Sequence, residues 1–415
     1  MTDAGTPTGP VTRSSVTRVG AATAVSALCG YAVLYLAARD LDPAGFSVFG
    51  VFWGAFGLVT GAAFGLLQQS TREIRLAARH DPTAPAPTGI TRPLRLAATV
   101  GMTAAVVVAT TAVLWAPHVF VESRRLSVVL LAVGLACFCL HATLLGMLAG
   151  ADRWSQYGAL MVTDAGIRVV IAVATVTLGW GLEGFLWATV GGSLSWLLLL
   201  LASPATRAAA TLVARESPAS FLRGAAHAVA AAGASAILVM GFPVLLKTTS
   251  GELGAAGGVV ILAVTLTRAP LLVPLTAMQG NLIAHFVDAR AHRLRAVAQA
   301  VAVLAVVGAA GITLAALTGP WLLRVGFGEQ YRASGALLAW LTAGAVVIAV
   351  LTVTGAATVA AALHRAYSVG WVCATVAAAA LLLLPLALET RTVVALVCGP
   401  LVGIAVHLAA LRERG

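Results

Sequence analysis

Long apolar runs separated by short polar segments make up most of the chain. A helix needs about 20 predominantly apolar residues to cross the hydrocarbon layer of a membrane. The runs of this length predict twelve membrane-spanning helices, and hence an all-α, polytopic integral membrane protein. The predicted spans are 19–38, 46–67, 96–116, 127–150, 158–179, 184–202, 224–246, 256–279, 296–318, 334–361, 368–388 and 393–410.

A weak internal repeat relates the two halves of the chain. Segments 212 positions apart match in two places, "LDPAG" with "LGAAG" and "DRWSQYG" with "HRAYSVG". Parallel repeats of this kind are one way in which secondary transporters are built, with the substrate site between the halves. Residues 1–18 are polar and are expected to be a disordered cytoplasmic segment, and the repeat predicts a first six-helix half, a cytoplasmic linker and a second six-helix half at residues 19–205, 206–222 and 223–411.

The composition excludes an ordinary soluble domain. Hydrophobic residues make up 60% of the chain and charged residues 10%, and the mean hydropathy is +0.96, whereas a soluble domain is about 25% charged. The net charge of +11 is scattered in small groups between the apolar runs, so no basic face for nucleic acid is expected. The charge is informative about membrane topology instead.

The distribution of basic residues between loops predicts the orientation. With a cytoplasmic N-terminus, the inside segments carry 17 arginines and the outside segments carry 7 basic residues. Cytoplasmic loops of membrane proteins are enriched in Lys and Arg, so both termini are expected in the cytoplasm. Arginine replaces lysine almost throughout, and alanine and glycine are abundant. This bias indicates a GC-rich, bacterial genome and therefore a location in the cell membrane.

Three Asp, Glu, Lys or Arg residues lie within predicted spans: Asp164 and Arg168 in span 5, and Arg268 in span 8. A charged side chain at the centre of a membrane helix costs roughly 2.5–3.5 kcal/mol, which makes each a candidate for function. Asp164 and Arg168 are four residues apart and can pair on one helix face. They are either a self-neutralising ion pair or a substrate-binding arginine beside a proton-coupling carboxylate. Arg268 either extends to the cytoplasmic interface or binds a phosphate group through its fork of donors.

Prolines and glycines in the spans predict bends and close helix contacts. Pro270 and Pro274 follow Arg268 in span 8, and Pro243 lies in span 7; each removes one intrahelical hydrogen bond and favours a bend. Such bends either allow a cavity to open alternately to the two sides or belong to a bundle that does not move. Glycines three and four residues apart in span 2 predict a flat face for close helix approach. These are Gly50, Gly54, Gly57, Gly61 and Gly65.

Other chemistry finds little support in the sequence. The five cysteines all lie in apolar runs at spacings typical of neither metal sites nor disulfide frameworks, and no cofactor or metal is expected. His141 and His227 are isolated in their spans, which favours buried, hydrogen-bonded side chains over a proton relay. Every external connection is short, at about 15 residues or fewer, so a membrane enzyme with an external catalytic loop is not expected.

Two stretches resemble polysaccharide-type flippases of the multidrug/oligosaccharidyl-lipid/polysaccharide exporter superfamily. The first is "LAARDLDPAGFSVFGVFWGAFGLVTGAAFGLLQQSTREI" and the second is "TLTRAPLLVPLTAMQGNLIAHF". The twelve spans in two halves agree with that family over nearly the whole chain. The resemblance implies a flippase that moves a polyprenyl-(pyro)phosphate-linked glycan from the cytoplasmic to the outer leaflet by alternating access.

The resemblance also implies site residues and partners. Arg268 matches the span-8 arginine of the family and Gln279 the glutamine that follows it, whereas the proline expected shortly after that glutamine is replaced by "GNLIAHF". Expected partners are the lipid-linked glycan, membrane lipids, and a glycosyltransferase or polymerase of the same pathway. Two alternatives remain: an ion-coupled drug or metabolite exporter of the same superfamily, relying on Asp164, and a non-transporting membrane subunit of a polysaccharide assembly complex.

Overall fold

The computed structural model describes residues 13–78 and 89–413. Within these residues the fold is all-α, and one isolated bridge between Thr91 and Ala214 is its only β-type pairing. Twelve helices are long and apolar enough to cross a membrane. The predicted all-α, twelve-span architecture is therefore confirmed. Residues 1–12 of the segment expected to be disordered lie outside the described residues, and the remainder of that segment belongs to the first helix.

Sixteen α-helices make up the described chain. They are α1 (Arg13–Asp40), α2 (Pro43–Ala78), α3 (Pro93–Val119), α4 (Arg124–Gly150), α5 (Trp154–Leu178), α6 (Gly181–Gly191), α7 (Ser195–Ala202), α8 (Pro204–Ala210), α9 (Pro218–Val239), α10 (Phe242–Ser250), α11 (Gly254–Ala277), α12 (Gln279–Asp288), α13 (Arg293–Phe327), α14 (Gly335–Ala360), α15 (His364–Leu382) and α16 (Leu388–Arg412). A 3₁₀ turn, Gly192–Leu194, joins α6 and α7 into one span. Because the spans alternate in direction, α1 begins and α16 ends at the same end of the bundle. We call this end the terminal face and the opposite end the far face.

Local sequence explains where several helices begin. Proline occupies the first turn of α3, α8 and α9, where its missing N–H is not needed. Ser203, Ser217 and Ser334 precede α8, α9 and α14, and each side chain accepts a hydrogen bond from the backbone N–H three residues later. Such caps satisfy amide groups that the helix itself leaves without a partner.

Several spans differ from the predicted bounds, and the differences in the second and the seventh have a local explanation. The second was predicted to end at residue 67, but α2 continues to Ala78 because "QQSTREIRLAA" is a good helix former although it is polar. The seventh was predicted as one run, 224–246, but the helix breaks between Val239 and Phe242. Gly241 and Pro243 explain the break, since glycine weakens a helix and proline cannot donate to the preceding turn.

The helix α2 lies at the centre of the bundle. It packs against α4 in the first half and against α9, α10 and α11 in the second. The repeat relates α2 to α11 and α1 to α9, yet the two cross-half contacts are unequal. α2 packs along the length of α9, whereas α1 and α11 barely touch. The halves are therefore closely joined on one side and loosely joined on the other.

The far face is closed by an aromatic cluster from both halves. Phe46 of α2 contacts Tyr331 edge-on at 6.1 Å between ring centroids. Tyr35 of α1 contacts Phe327 of α13 at 5.6 Å, and Phe327 contacts Tyr331 at 6.3 Å. Tyr331 is completely buried. Close approach of Gly258 on α11 to the backbone of Pro43 joins the same two halves at this end.

Candidate functional site

Asp164 and Arg168 form the ion pair that their spacing predicts. The guanidinium donates to both carboxylate oxygens, Nε to Oδ2 and Nη2 to Oδ1, each at 3.1 Å. Its Nη1 donates to the carbonyl of Thr189 at 2.6 Å, and the group lies 5.5 Å above the ring of Phe56. All three guanidinium nitrogens thus have acceptors inside the first half. This geometry favours the self-neutralising pair, and roles in substrate binding or coupling stay predictions.

The break between α9 and α10 creates a carbonyl without a helical donor. In an unbroken helix the N–H of residue 243 would donate to the carbonyl of Val239, but residue 243 is proline and has no N–H. The turn closes instead through the N–H of Gly241, which donates to Ala236 at 2.9 Å. The last carbonyls of α9 consequently need donors from elsewhere.

Arg268 supplies that donor. Its Nη1 donates to the carbonyl of Val239 at 3.1 Å and lies 3.4 Å from that of Leu238. The guanidinium stacks on the ring of Phe242 at 5.0 Å. A cation is also favourable at the C-terminal, negative end of a helix dipole. Arg268 therefore lies inside the protein and does not extend to the membrane interface.

Half of the Arg268 guanidinium remains without a partner. The residue is only 7% exposed, and no described protein atom accepts a hydrogen bond from Nε or Nη2. These two nitrogens form one edge of the fork, the edge that binds two oxygens of a carboxylate or phosphate at once. Asp164 occupies the same edge of Arg168. Arg268 thus presents a buried anion-binding edge without a partner, whereas Asp164 occupies the equivalent edge of Arg168.

The other predicted residues of span 8 lie apart from this edge. α11 continues through Pro270 and Pro274, both exposed, and ends at Ala277. Gln279 begins the next helix, α12, and is half-buried. It lies eleven positions after Arg268 in the chain, beyond the end of the helix that carries the arginine. The structure does not bring Gln279 and Arg268 together.

The glycines of α2 face the broken span. A Cβ on Gly54 would touch Pro243 and the carbonyl of Met240, and one on Gly57 would touch the Met240 side chain. The other three glycines of the stripe extend this contact towards both faces of the bundle. Gly50 meets Ile261 of α11, Gly61 meets Ala236, and Gly65 meets the backbone of Val229. The stripe thus runs along the closely joined side of the two halves.

A polar junction that the apolar pattern does not predict lies at the terminal face. Gln69 on α2 donates to Glu73 and to Glu216, in each case at 3.3 Å, and Thr91 donates to the carbonyl of Glu216 at 2.7 Å. Glu73 is buried. Because α2 was predicted to end at residue 67, Glu73 was placed in a loop; the helix-forming sequence after residue 67 was the available signal. The junction links α2 to the segment preceding α9.

Two buried histidines bond hydroxyl groups of neighbouring helices. Nδ1 of His141 on α4 lies 3.1 Å from Oγ of Ser195 on α7. Nδ1 of His407 on α16 lies 3.0 Å from Oγ1 of Thr354 on α14. Under the repeat, His141 corresponds to Thr354 and Ser195 to His407, to within one residue. Among the residues that the structure describes, no group of three or more His, Cys, Asp or Glu side chains could hold a metal ion.

Comparison with known proteins identifies close relatives. The chain is 67% identical to "Uncharacterized protein Rv3630" of Mycobacterium tuberculosis over 405 residues, 98% of this chain and 94% of the relative. The chain belongs to the family of this mycobacterial protein. A second member, "Uncharacterized protein Rv1510" of the same species, is 63% identical over 423 residues, 100% of this chain and 96% of the relative. No family model matches the chain.

Solved structures show the fold of this mycobacterial family. The chain is similar to a multidrug resistance MATE family transporter of the MOP superfamily in its inward-facing conformation, with a TM-score of 0.72 and 17% identity, over 94% of each chain. The outward-facing conformation of such a transporter gives a TM-score of 0.63 at 17% identity, over 96% of this chain and 95% of the other. The fold is that of MATE transporters, and the expected superfamily fold is confirmed.

Proposed function

We propose that the protein is a membrane transporter that moves a polyprenyl-(pyro)phosphate-linked glycan from the cytoplasmic to the outer leaflet by alternating access. The observation that carries the proposal is the unpartnered edge of the buried Arg268 guanidinium. A buried cation with unused donors destabilises the protein that contains it. Such groups are typical of functional sites, where a ligand completes the interaction.

The uneven contacts between the halves support movement. α2 packs closely on α9, whereas α1 and α11, the pair related to them by the repeat, are nearly separate. In transporters built from repeats, one half moves against the other around a fixed site. Arg268 lies on α11, one of the two helices of the nearly separate pair, and its guanidinium faces α9 and α10. The closer similarity to the inward-facing MATE conformation supports a site that loads from the cytoplasmic leaflet.

A multidrug exporter is the second candidate, because the structural neighbours are multidrug transporters. Export of cationic drugs with an ion relay requires a carboxylate free to change partners. Asp164 is bound through both oxygens to Arg168, and Glu73 lies at the terminal-face end of α2. An unpartnered guanidinium repels cations. The geometry therefore favours an anionic substrate over a cationic drug.

Transbilayer movement in proteoliposomes tests the proposal. The probes are fluorescent polyprenyl-linked oligosaccharides with one phosphate or two in the link, and the variants are Arg268→Ala and, as a matched control, Arg324→Ala on the exposed surface of α13. We expect movement with the unmodified protein and the control, and loss with Arg268→Ala. Drug efflux that is lost in Asp164→Asn would favour the exporter. No movement of any probe, together with co-purification of a glycosyltransferase or polymerase, would favour the non-transporting subunit.

A further inference from the structure

We infer that the head group bound at Arg268 carries one net negative charge, as in a polyprenyl monophosphate-linked sugar, and not two, as in a diphosphate-linked one. This inference rests on the proposed function and narrows its substrate class. It follows from the number of charges available in the membrane interior and from the shape of the unpartnered edge of Arg268.

The buried charged side chains determine how much negative charge the interior can neutralise. Three charged side chains are buried in the described chain, Glu73, Lys247 and Arg268. Glu73 lies at the terminal-face end of α2, 3.4 Å from the exposed Arg72. Lys247 donates to the carbonyl of Gly251 at the end of α10, near the far face. Arg268 is therefore the one buried charge at mid-depth of the described spans that lacks an opposite charge.

The Asp164–Arg168 pair does not change this balance. Its side chains are 17% and 13% exposed, its net charge is zero, and every guanidinium nitrogen already has an acceptor. Arg168 could bind a second phosphate only by releasing Asp164, which would leave that carboxylate without its cation. Removal of one partner from such a pair is strongly unfavourable. One guanidinium is thus available to the substrate.

The unpartnered edge of the Arg268 guanidinium matches a single phosphate group. Nη1 is engaged by the carbonyls at the end of α9, so Nε and Nη2 remain. They point in parallel and match two oxygens of a single phosphate group. A phosphodiester has two non-bridging oxygens that share one negative charge, and this edge satisfies both. A diphosphate carries a second charged phosphate, for which the described residues at the depth of Arg268 provide no further cation without an acceptor, and burial of an unpaired charge is costly.

The test compares three fluorescent probes in proteoliposomes. They share one polyprenyl chain and one sugar, linked by no phosphate, one phosphate or two. We expect the monophosphate probe to cross faster than either of the others by about tenfold or more. Equal or faster crossing of the diphosphate probe would overturn the inference and leave the proposed function intact. Failure of all three probes would overturn the proposed function, and the inference with it.

Two variants tie the selectivity to Arg268. Arg268→Gln removes the charge, so the advantage of the monophosphate probe over the uncharged probe should be lost. Arg268→Lys keeps the charge but loses the parallel pair of donors; it should still prefer one charge to two, at a reduced rate. Size-exclusion chromatography and thermal unfolding confirm that each variant is folded. Unchanged selectivity in a folded Arg268→Gln protein would overturn the inference, because the charge would then be recognised elsewhere.

Discussion

At the scale of single residues, Pro243 and Arg268 act on the same carbonyl, that of Val239. The proline removes the donor that the Val239 carbonyl would have in a continuous helix, and the arginine replaces it from another helix. A neutral donor could satisfy that carbonyl. The guanidinium brings two further N–H-bearing nitrogens that the protein does not use. The proposed ligand site rests on this excess of donors.

A double-mutant cycle tests this relationship. Arg268→Met leaves the buried Val239 carbonyl without its donor, which should cost about 1–3 kcal/mol of unfolding free energy, in opposition to the gain from removing a buried charge with unused donors. In a Pro243→Ala background residue 243 regains an N–H, and the same change should cost about 1 kcal/mol less. Thermal and denaturant unfolding of the four proteins in detergent measure the coupling. Strictly additive effects would show that the two residues do not act on the same carbonyl.

At the scale of helices, the glycine stripe of α2 sets how closely the two halves approach. Gly65 lies against the backbone of Val229, which cannot move aside as a side chain would. Gly30 on α1 also lies in a helix, but a Cβ there would meet nothing within 4 Å. The two positions form a matched pair: an added methyl group would clash with backbone at Gly65 and would enter open space at Gly30.

Alanine at each position should separate packing from helix propensity. Gly65→Ala should destabilise the protein by about 1–3 kcal/mol through overpacking of the α2–α9 contact. Gly30→Ala should be neutral or stabilising by up to about 1 kcal/mol, because alanine is the better helix former. Unfolding in detergent gives both values. Equal effects at the two sites would contradict the view that α2 packs on α9 through this stripe.

Much of the helix architecture was predictable because it depends on local composition. Apolar runs of sufficient length fix the number of spans, and Pro243 predicted a bend in span 7. The acceptor for Arg268 was not predictable, since Val239 lies 29 residues away in sequence. The junction around Glu73 was missed because hydropathy marks the end of the hydrocarbon layer, whereas a helix continues as far as its backbone bonds allow.

At the scale of the whole molecule, the far face is closed by aromatic contacts and the two sides of the bundle are unequally joined. Tyr35 and Phe327 come from different halves and meet at 5.6 Å. Any conformation that opens the far face must separate them. This pair of residues therefore reports whether the halves move against each other.

A reversible cross-link tests that movement. Tyr35→Cys with Phe327→Cys, in a background with the five native cysteines replaced, should be bridged by a bifunctional thiol reagent with a reducible linker, because the two side chains are in contact. Transport should stop when the cross-link forms and return after reduction. Each single cysteine variant serves as the control and should respond to neither treatment. Full transport by the cross-linked protein would exclude opening at this part of the far face.

The two histidine–hydroxyl hydrogen bonds are relevant to the evolutionary origin of the two halves. In the first half the imidazole is on α4 and the hydroxyl on α7; in the second the hydroxyl is on α14 and the imidazole on α16. The partners lie 54 residues apart in one half and 53 in the other. If the halves descend from a duplicated gene, the hydrogen bond was kept although the imidazole and the hydroxyl exchanged positions. An alignment of the halves would then score two mismatched residues and would not show that the bond between them is shared. Descent in such a membrane protein is therefore traced better through pairs of residues in contact than through single positions.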